Sequence, residues 1–216
     1  MNRKITLVVA FALLGAGYAS TQTATAADKQ VKSHSAMPMA KGSAATKKYE
    51  AVMAKMMKSM MMSMTGKPDL DFVNGMMPHH QGAIDMAKVD LQYGKSLEIQ
   101  KLAANIIKSQ EGEIAFMKKW LAKADQAALG VVPDSAKANE QAMSLMMKDM
   151  AMSYSGNADV DFVKGMIPHH QGAIDMAKVE QQYGKDPSLL KLAGDIVSAQ
   201  EREIAFMNDW LKKNAK

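Results

Sequence analysis

Cysteine is absent from all 216 residues. That rules out disulfides, thiolate metal sites, a cysteine nucleophile and lipid attachment through a lipobox cysteine. The chain also has no Glu-x-x-His, the signature that di-iron carboxylate bundles need on two helices, and no serine nucleophile elbow of the hydrolase type. Charge of one sign is not in excess. Lys and Arg number 27 against 22 Asp and Glu, a formal +5, with the lysines scattered among acids. A nucleic-acid footprint would need them clustered. Period-two alternation of apolar residues is missing too, so no strands are expected.

Long apolar runs are equally scarce, and the one that occurs sits at the start. Arg3 and Lys4 precede an apolar stretch from Ile5 to Ala16, and Ala24-Thr25-Ala26 offers an A-x-A cleavage site. Residues 1–26 therefore read as a signal peptide. The run is shorter than the roughly 20 residues of a membrane span, so no span is expected after cleavage. The sequence thus points to a periplasmic or secreted protein whose stability rests on packing alone. Residues 27–44 are small and polar and read as a flexible tail, carrying His34, Met37 and Met39.

Methionine is the residue in surplus. There are 22, against only five phenylalanines, although leucine fills a core with better-defined rotamers. Set against itself at an offset of 90 residues, the chain aligns without gaps from Ala51–Leu121 to Gln141–Leu211, with 43 of 71 positions identical. This is an internal repeat: residues 45–128 and 136–216 are its two copies, with 129–135 as linker. Each copy reads as three helical segments. The first runs from about Ala45 to Met64 and stops near Gly66; the second from Asp69 or Asp71, as N-caps, to Gly94; the third from about Ser96 to Ala124. The fold class is all-α, an antiparallel bundle in which two long hairpins pack about a pseudo-two-fold axis.

At 100° per residue, Met76, His79, Ala83, Met86 and Ala87 share the inward stripe of Phe72, with His80 at its edge. Pro78 either kinks this helix or begins it. On the third segment Gln110, Glu113 and Met117 fall on the apolar side and are expected opposite His79 and Met76. The second copy offers Met166, His169, His170, Met176, Gln200, Glu203 and Met207. Soft thioethers suit Cu(I), and imidazole serves Cu(I) and Cu(II). The candidate ligands are the two His pairs, Met76, Met86, Met117, Met166, Met176 and Met207, with His34, Met37 and Met39 in the tail. Gln110, Glu113, Gln200 and Glu203 are candidates for orienting the imidazoles from behind. The sequence leaves open whether the two equivalent sites lie within each hairpin or across the pseudo-two-fold interface between the repeats.

At these residues the chain resembles the bacterial family called domain of unknown function 305. The resemblance rests on Phe72…Met76-x-Pro-His79-His80…Ala83-Ile84…Met86-Ala87 and on Gln110-x-x-Glu113-Ile114…Met117…Trp120-Leu121, both repeated in the second copy. It implies a ferritin-like helical fold. For members rich in methionine it implies copper binding and copper tolerance.

The expected function is sequestration or relay of copper, Cu(I) before Cu(II), without a catalysed reaction; the partners are copper ions and other periplasmic copper-handling proteins. A Met-rich helical module that docks peptides is the rival reading, and a cuproxidase is a weaker one. Methionines gathered about imidazoles would favour metal; an open methionine groove would favour peptide.

Overall fold

The computed structural model describes residues 42–214. The signal peptide, and His34, Met37 and Met39 of the tail, lie outside the described residues. Six helices follow in order: α1 (Ala44–Met60), α2 (Pro68–Tyr93), α3 (Leu97–Leu121), α4 (Pro133–Asp149), α5 (Ala158–Tyr183) and α6 (Pro187–Asn214). No strand occurs among the described residues. α2 and α5 are both 26 residues long and start 90 residues apart.

Local chemistry sets the boundaries. Ser43 caps α1 by accepting from the Thr46 N–H at 3.2 Å. Asn157 caps α5 through Val160 N–H at 3.2 Å, and Ser96 caps α3 through Ile99 N–H at 3.4 Å. Proline opens α2 and α4 at positions where a missing N–H is harmless. Lys118 and Lys119 close α3, and Lys212 and Lys213 close α6, against the negative ends of the helix dipoles.

Four sequence expectations need correction. α1 ends at Met60 rather than Met64, and Met61 is 79% exposed beyond it. Gly66 and Gly156 do not stop the first helix of each copy. They sit later, at the entry to α2 and α5, with φ of 75° and 85°, a left-handed conformation that suits glycine. Asp71 and Asp161 are not N-caps; their carboxylates reach back to this turn. Asp71 accepts from Thr65 N–H at 2.8 Å, Thr65 Oγ1–H at 2.7 Å and Gly66 N–H at 2.8 Å. Asp161 does the same with Ser155 and Gly156. The linker lies earlier than 129–135: α3 stops at Leu121 and Pro133 already begins α4, so residues 122–132 join them.

Two hydrophobic clusters fill the interior. One joins Phe72, Val73 and Met76 of α2 to Ile114 and Met117 of α3, to Met143 and Met146 of α4 with Met150 just beyond it, and to Leu189, Ala193 and Ile196 of α6. The other joins Ala83, Met86 and Ala87 of α2 to Ile99, Leu102 and Ile106 of α3, to Phe162, Val163 and Met166 of α5, and to Met207 and Trp210 of α6. Each cluster mixes residues of both copies. α2 passes from the first at Met76 to the second at Ala83; α5 passes the opposite way, from Met166 to Ala173. The histidines lie on both helices at this crossover.

Glycine makes the close packing possible. A Cβ at Gly75 would stand 2.8 Å from Met176 Cε, and one at Gly165 would stand 2.9 Å from Met86 Cε. A Cβ at Gly82 would collide with the Met56 thioether of α1, and one at Gly172 would stand 2.6 Å from Met146 Cγ of α4. The absent side chains thus seat four methionines.

Candidate metal centre

Pro78 and Pro168 lie inside continuous helices, so neither starts one. Proline withholds its N–H and clashes with the preceding turn, yet α2 and α5 run through. The histidines that follow are fully buried: His79, His80, His169 and His170 are each 0% exposed. His80, placed at the edge of the stripe by the helical wheel, is as deep as His79.

The two copies meet at these rings. His79 of α2 and His169 of α5 stand with ring centroids 3.8 Å apart and planes tilted by 49°. His80 flanks His79 at 6.2 Å, and His170 flanks His169 at 6.4 Å. Four imidazoles form a row across the α2–α5 contact, so the pairs make one cluster rather than one in each hairpin.

The outer and inner rings differ in their partners. His80 Nε2 lies 2.6 Å from Glu113 Oε2, and His170 Nε2 lies 2.6 Å from Glu203 Oε2. A carboxylate only accepts, so Nε2 carries the hydrogen, which leaves Nδ1 as the ring atom available to a further partner. Both Nδ1 atoms are buried without a partner. In the inner pair, neither nitrogen of His79 or of His169 makes a hydrogen bond of good geometry; each ring does approach the backbone of the other inner histidine, which offsets part of the effect of burial. Burial holds both inner rings well below the usual imidazole range. Neighbouring imidazoles reinforce it, first His169 for His79 and first His170 for His169. The inner rings are neutral at physiological pH, the form in which imidazole binds metals.

The expected facing wall is present but shifted by one position. Glu113 meets His80, not His79. Ser109 Oγ–H donates to Glu113 Oε1 at 3.0 Å; the corresponding position 199 is alanine, so Glu203 has no such support. Gln110 and Gln200 are buried, and the carbonyl oxygen of each side chain has no partner.

Met76, Met86, Met117, Met166, Met176 and Met207 are all buried, but they are sorted differently from the sequence expectation. Met76 and Met117 share a cluster with Met176 of the other copy; Met166 and Met207 share theirs with Met86. Among the described residues, no three His, Cys, Asp or Glu side chains converge on a common point as a metal site. The donors at the crossover are imidazoles in a row, with thioethers one helical turn before each pair at Met76 and Met166.

With this geometry in view, comparison with known proteins places the chain. The family described as domain of unknown function (DUF305) matches residues 69–211. This chain belongs to the DUF305 family. CopM solved in its Cu(I)-bound form is similar at 35% identity and a TM-score of 0.52, covering 67% of this chain and 96% of that one. CopM in its Cu(II)-bound form is similar at 37% identity and a TM-score of 0.53, with the same coverage of each chain. A DUF305 fragment from Deinococcus radiodurans aligns at 26% identity and a TM-score of 0.51, over 68% of this chain and 96% of the fragment. An uncharacterized protein of Acanthamoeba polyphaga mimivirus is 45% identical over 53 residues. That match spans 24% of this chain and about a third of the viral protein, 35%.

Sequence reasoning missed the cross-copy methionine pairing and a set of buried carboxyls described below. Gly75, Gly82, Gly165 and Gly172, glycines inside a helical pattern, were the available signal of close helix approach.

Proposed function

We propose that this protein captures copper outside the cytoplasm and holds it at one centre shared by the two sequence copies, sequestering or relaying it without catalysing a reaction. The observation that carries this reading is the inner pair. His79 and His169 bring four ring nitrogens into the interior, and none makes a hydrogen bond of good geometry. Burying polar groups unpaired is costly, and a ligand for which imidazole is a donor accounts for it.

The surroundings favour copper. Glu113 and Glu203 fix the outer rings with Nδ1 free, the arrangement found behind metal-ligating histidines. Thioether sulfur and imidazole without thiolate form a donor set suited to Cu(I) and tolerant of Cu(II). The similarity to CopM, solved with both ions, supports the same choice. The inner rings are too close for separate ions, so we assign them to a common one, entering as the rings turn about χ2. The peptide-docking alternative loses support, because the six candidate methionines are at most 3% exposed and form no open groove. Among the described residues no helix is long and apolar enough to cross a membrane, in keeping with a protein working in the periplasm.

The test is an anaerobic Cu(I) titration against a competing chelator, with metal content measured for the wild type and for the variant with His79, His80, His169 and His170 replaced. Tight binding lost in the variant is expected. A wild-type protein that takes neither Cu(I) nor Cu(II) from the chelator would overturn the assignment.

A further inference from the structure

Away from the histidine row, the α2–α5 contact ends on two buried acidic pairs, one at each end. Asp90, near the C-terminus of α2, is 0% exposed, and neither carboxyl oxygen has a hydrogen-bond partner. It faces Asp159 at the start of α5: a Cβ at Gly94 would lie 2.7 Å from Asp90 Oδ1 and 2.8 Å from Asp159 Oδ1. Asp159 is well supplied with donors. It accepts from Lys95 N–H at 2.9 Å and from Ser96 N–H at 3.0 Å. The other end repeats the plan with the copies exchanged. Glu180, near the C-terminus of α5, is 1% exposed with both oxygens unpartnered. It lies against Asp69 of α2, which accepts from Lys185 N–H at 3.0 Å and Asp186 N–H at 2.9 Å.

Two carboxylates at close quarters, one stripped of donors, repel each other in a medium of low dielectric. Protonating the one without donors turns it into an O–H that donates to the other, which converts the repulsion into a short charge-assisted hydrogen bond. We propose that a shared proton latches the two sequence copies together at each end, Asp90 donating to Asp159 and Glu180 to Asp69, so that the bundle loosens as protons are withdrawn.

Among the described residues, no cationic side chain forms an ion pair with Asp90, Asp159, Glu180 or Asp69. Asp90 faces Asp159 and, from α1, Tyr49, whose phenol is itself raised beyond its usual range by burial and by Asp90, Asp161 and Asp159; Tyr154 stacks on Tyr49. Glu180 faces Asp69 and Asp186. Burial, with Asp159, lifts Asp90 to about 7, and burial, with Asp69, lifts Glu180 to about 9. Groups raised on folding stabilise the fold fully below their unfolded values, and that stability is lost as pH rises through the folded values. The loss should span about pH 4 to 7 for Asp90 and about pH 4.5 to 9 for Glu180. Neither group belongs to the histidine centre, so the latch stands whether or not copper binds there.

The test measures the unfolding midpoint of the metal-free full chain between pH 5 and 9.5, for wild type and for D90N, E180Q and the double variant. An amide is a neutral donor at every pH. The wild-type midpoint should fall as pH rises; the double variant should keep its midpoint and lose most of that slope, each single variant losing its own part. An unchanged slope in the double variant would overturn the latch. Because amide variants can misfold, carboxyl-carbon NMR on the wild type provides a second reading: two resonances of protonated acids persisting at pH 6 support the latch, and none would overturn it. Calcium or magnesium raising the wild-type midpoint but not that of the double variant would also overturn it, in favour of a bound cation.

Discussion

Replacing both inner histidines with leucine should make the metal-free protein more stable while removing its copper centre. His79 and His169 bury four ring nitrogens without a hydrogen bond of good geometry. Even if the two rings turned to share one N–H···N bond, two nitrogens would remain orphaned. At about 1–3 kcal/mol per unsatisfied buried group, these cost about 2–6 kcal/mol. Leucine in a site shaped for imidazole repacks imperfectly, returning about 1–3 kcal/mol. The net expectation is a gain of about 1–3 kcal/mol for H79L/H169L. At about 2–4 °C per kcal/mol for a chain of this size, the midpoint should rise by about 2–12 °C.

The assay is thermal and urea unfolding in the presence of a chelator, followed by the same measurement with Cu(I). Wild type should gain stability by mass action, about 2.7 kcal/mol when free metal is 100 times Kd, and the variant should gain none. The curves would then cross: the variant more stable without copper, the wild type more stable with it. A double variant that unfolds several degrees below wild type in chelator would refute the reasoning, because it would mean the ring nitrogens are satisfied within the fold. The single H79L variant should gain less, since it leaves His169 buried and alone.

Replacing Glu113 and Glu203 with glutamine keeps an acceptor but removes the charge, and should weaken copper binding about 10–100-fold; competition titration measures the affinity, and ¹⁵N NMR the tautomers of His80 and His170. Gly172→Ala forces a Cβ to 2.6 Å from Met146 Cγ and should destabilise by about 1–3 kcal/mol in urea unfolding. Gly112→Ala is its control: nothing lies within 4 Å of the added Cβ, and the helix should gain about 0.5–1 kcal/mol. Tyr49→Phe deletes the hydroxyl that donates to the Ala158 carbonyl at 3.2 Å and should cost about 1 kcal/mol by the same measurement.

The helical class and the inward direction of His79, Met76, Met86 and Met117 were legible because a 3.6-residue period survives in sequence; the family was legible only through the resemblance carried by the residues from Phe72 to Ala87 and from Gln110 to Leu121. What was not legible is which copy each side chain meets. Met86 shares its helix face with His79, but its methyl packs at Gly165 of α5; a helical wheel describes one helix and says nothing of the partner. Asp71 looks like an N-cap by spacing, and only the positive φ of Gly66 shows that its carboxylate serves the turn behind it. Nothing in the sequence marks Asp90 as buried, and only packing shows that it faces Asp159.

The position of the histidines follows from the duplication itself. Where two equal surfaces pack about a two-fold axis, residue i meets j and the copy of j meets the copy of i, while a residue on the axis meets its own copy. Gly75 with Met176 and Gly165 with Met86 are one reciprocal pair; Asp90 with Asp159 and Glu180 with Asp69 are another. Both bracket His79, which meets its counterpart His169 at 3.8 Å. One histidine on the axis of a duplicated helix therefore yields a two-imidazole cluster with no further change, and the next residue, His80 or His170, extends it on both sides. The same logic says where the copies are free to diverge. Positions off the axis already differ, as Asp90 differs from Glu180, Met77 from Ile167 and Tyr49 from Asn139. A change on the axis in one copy, by contrast, alters both halves of the cluster, so H79L alone and H169L alone should impair copper binding equally.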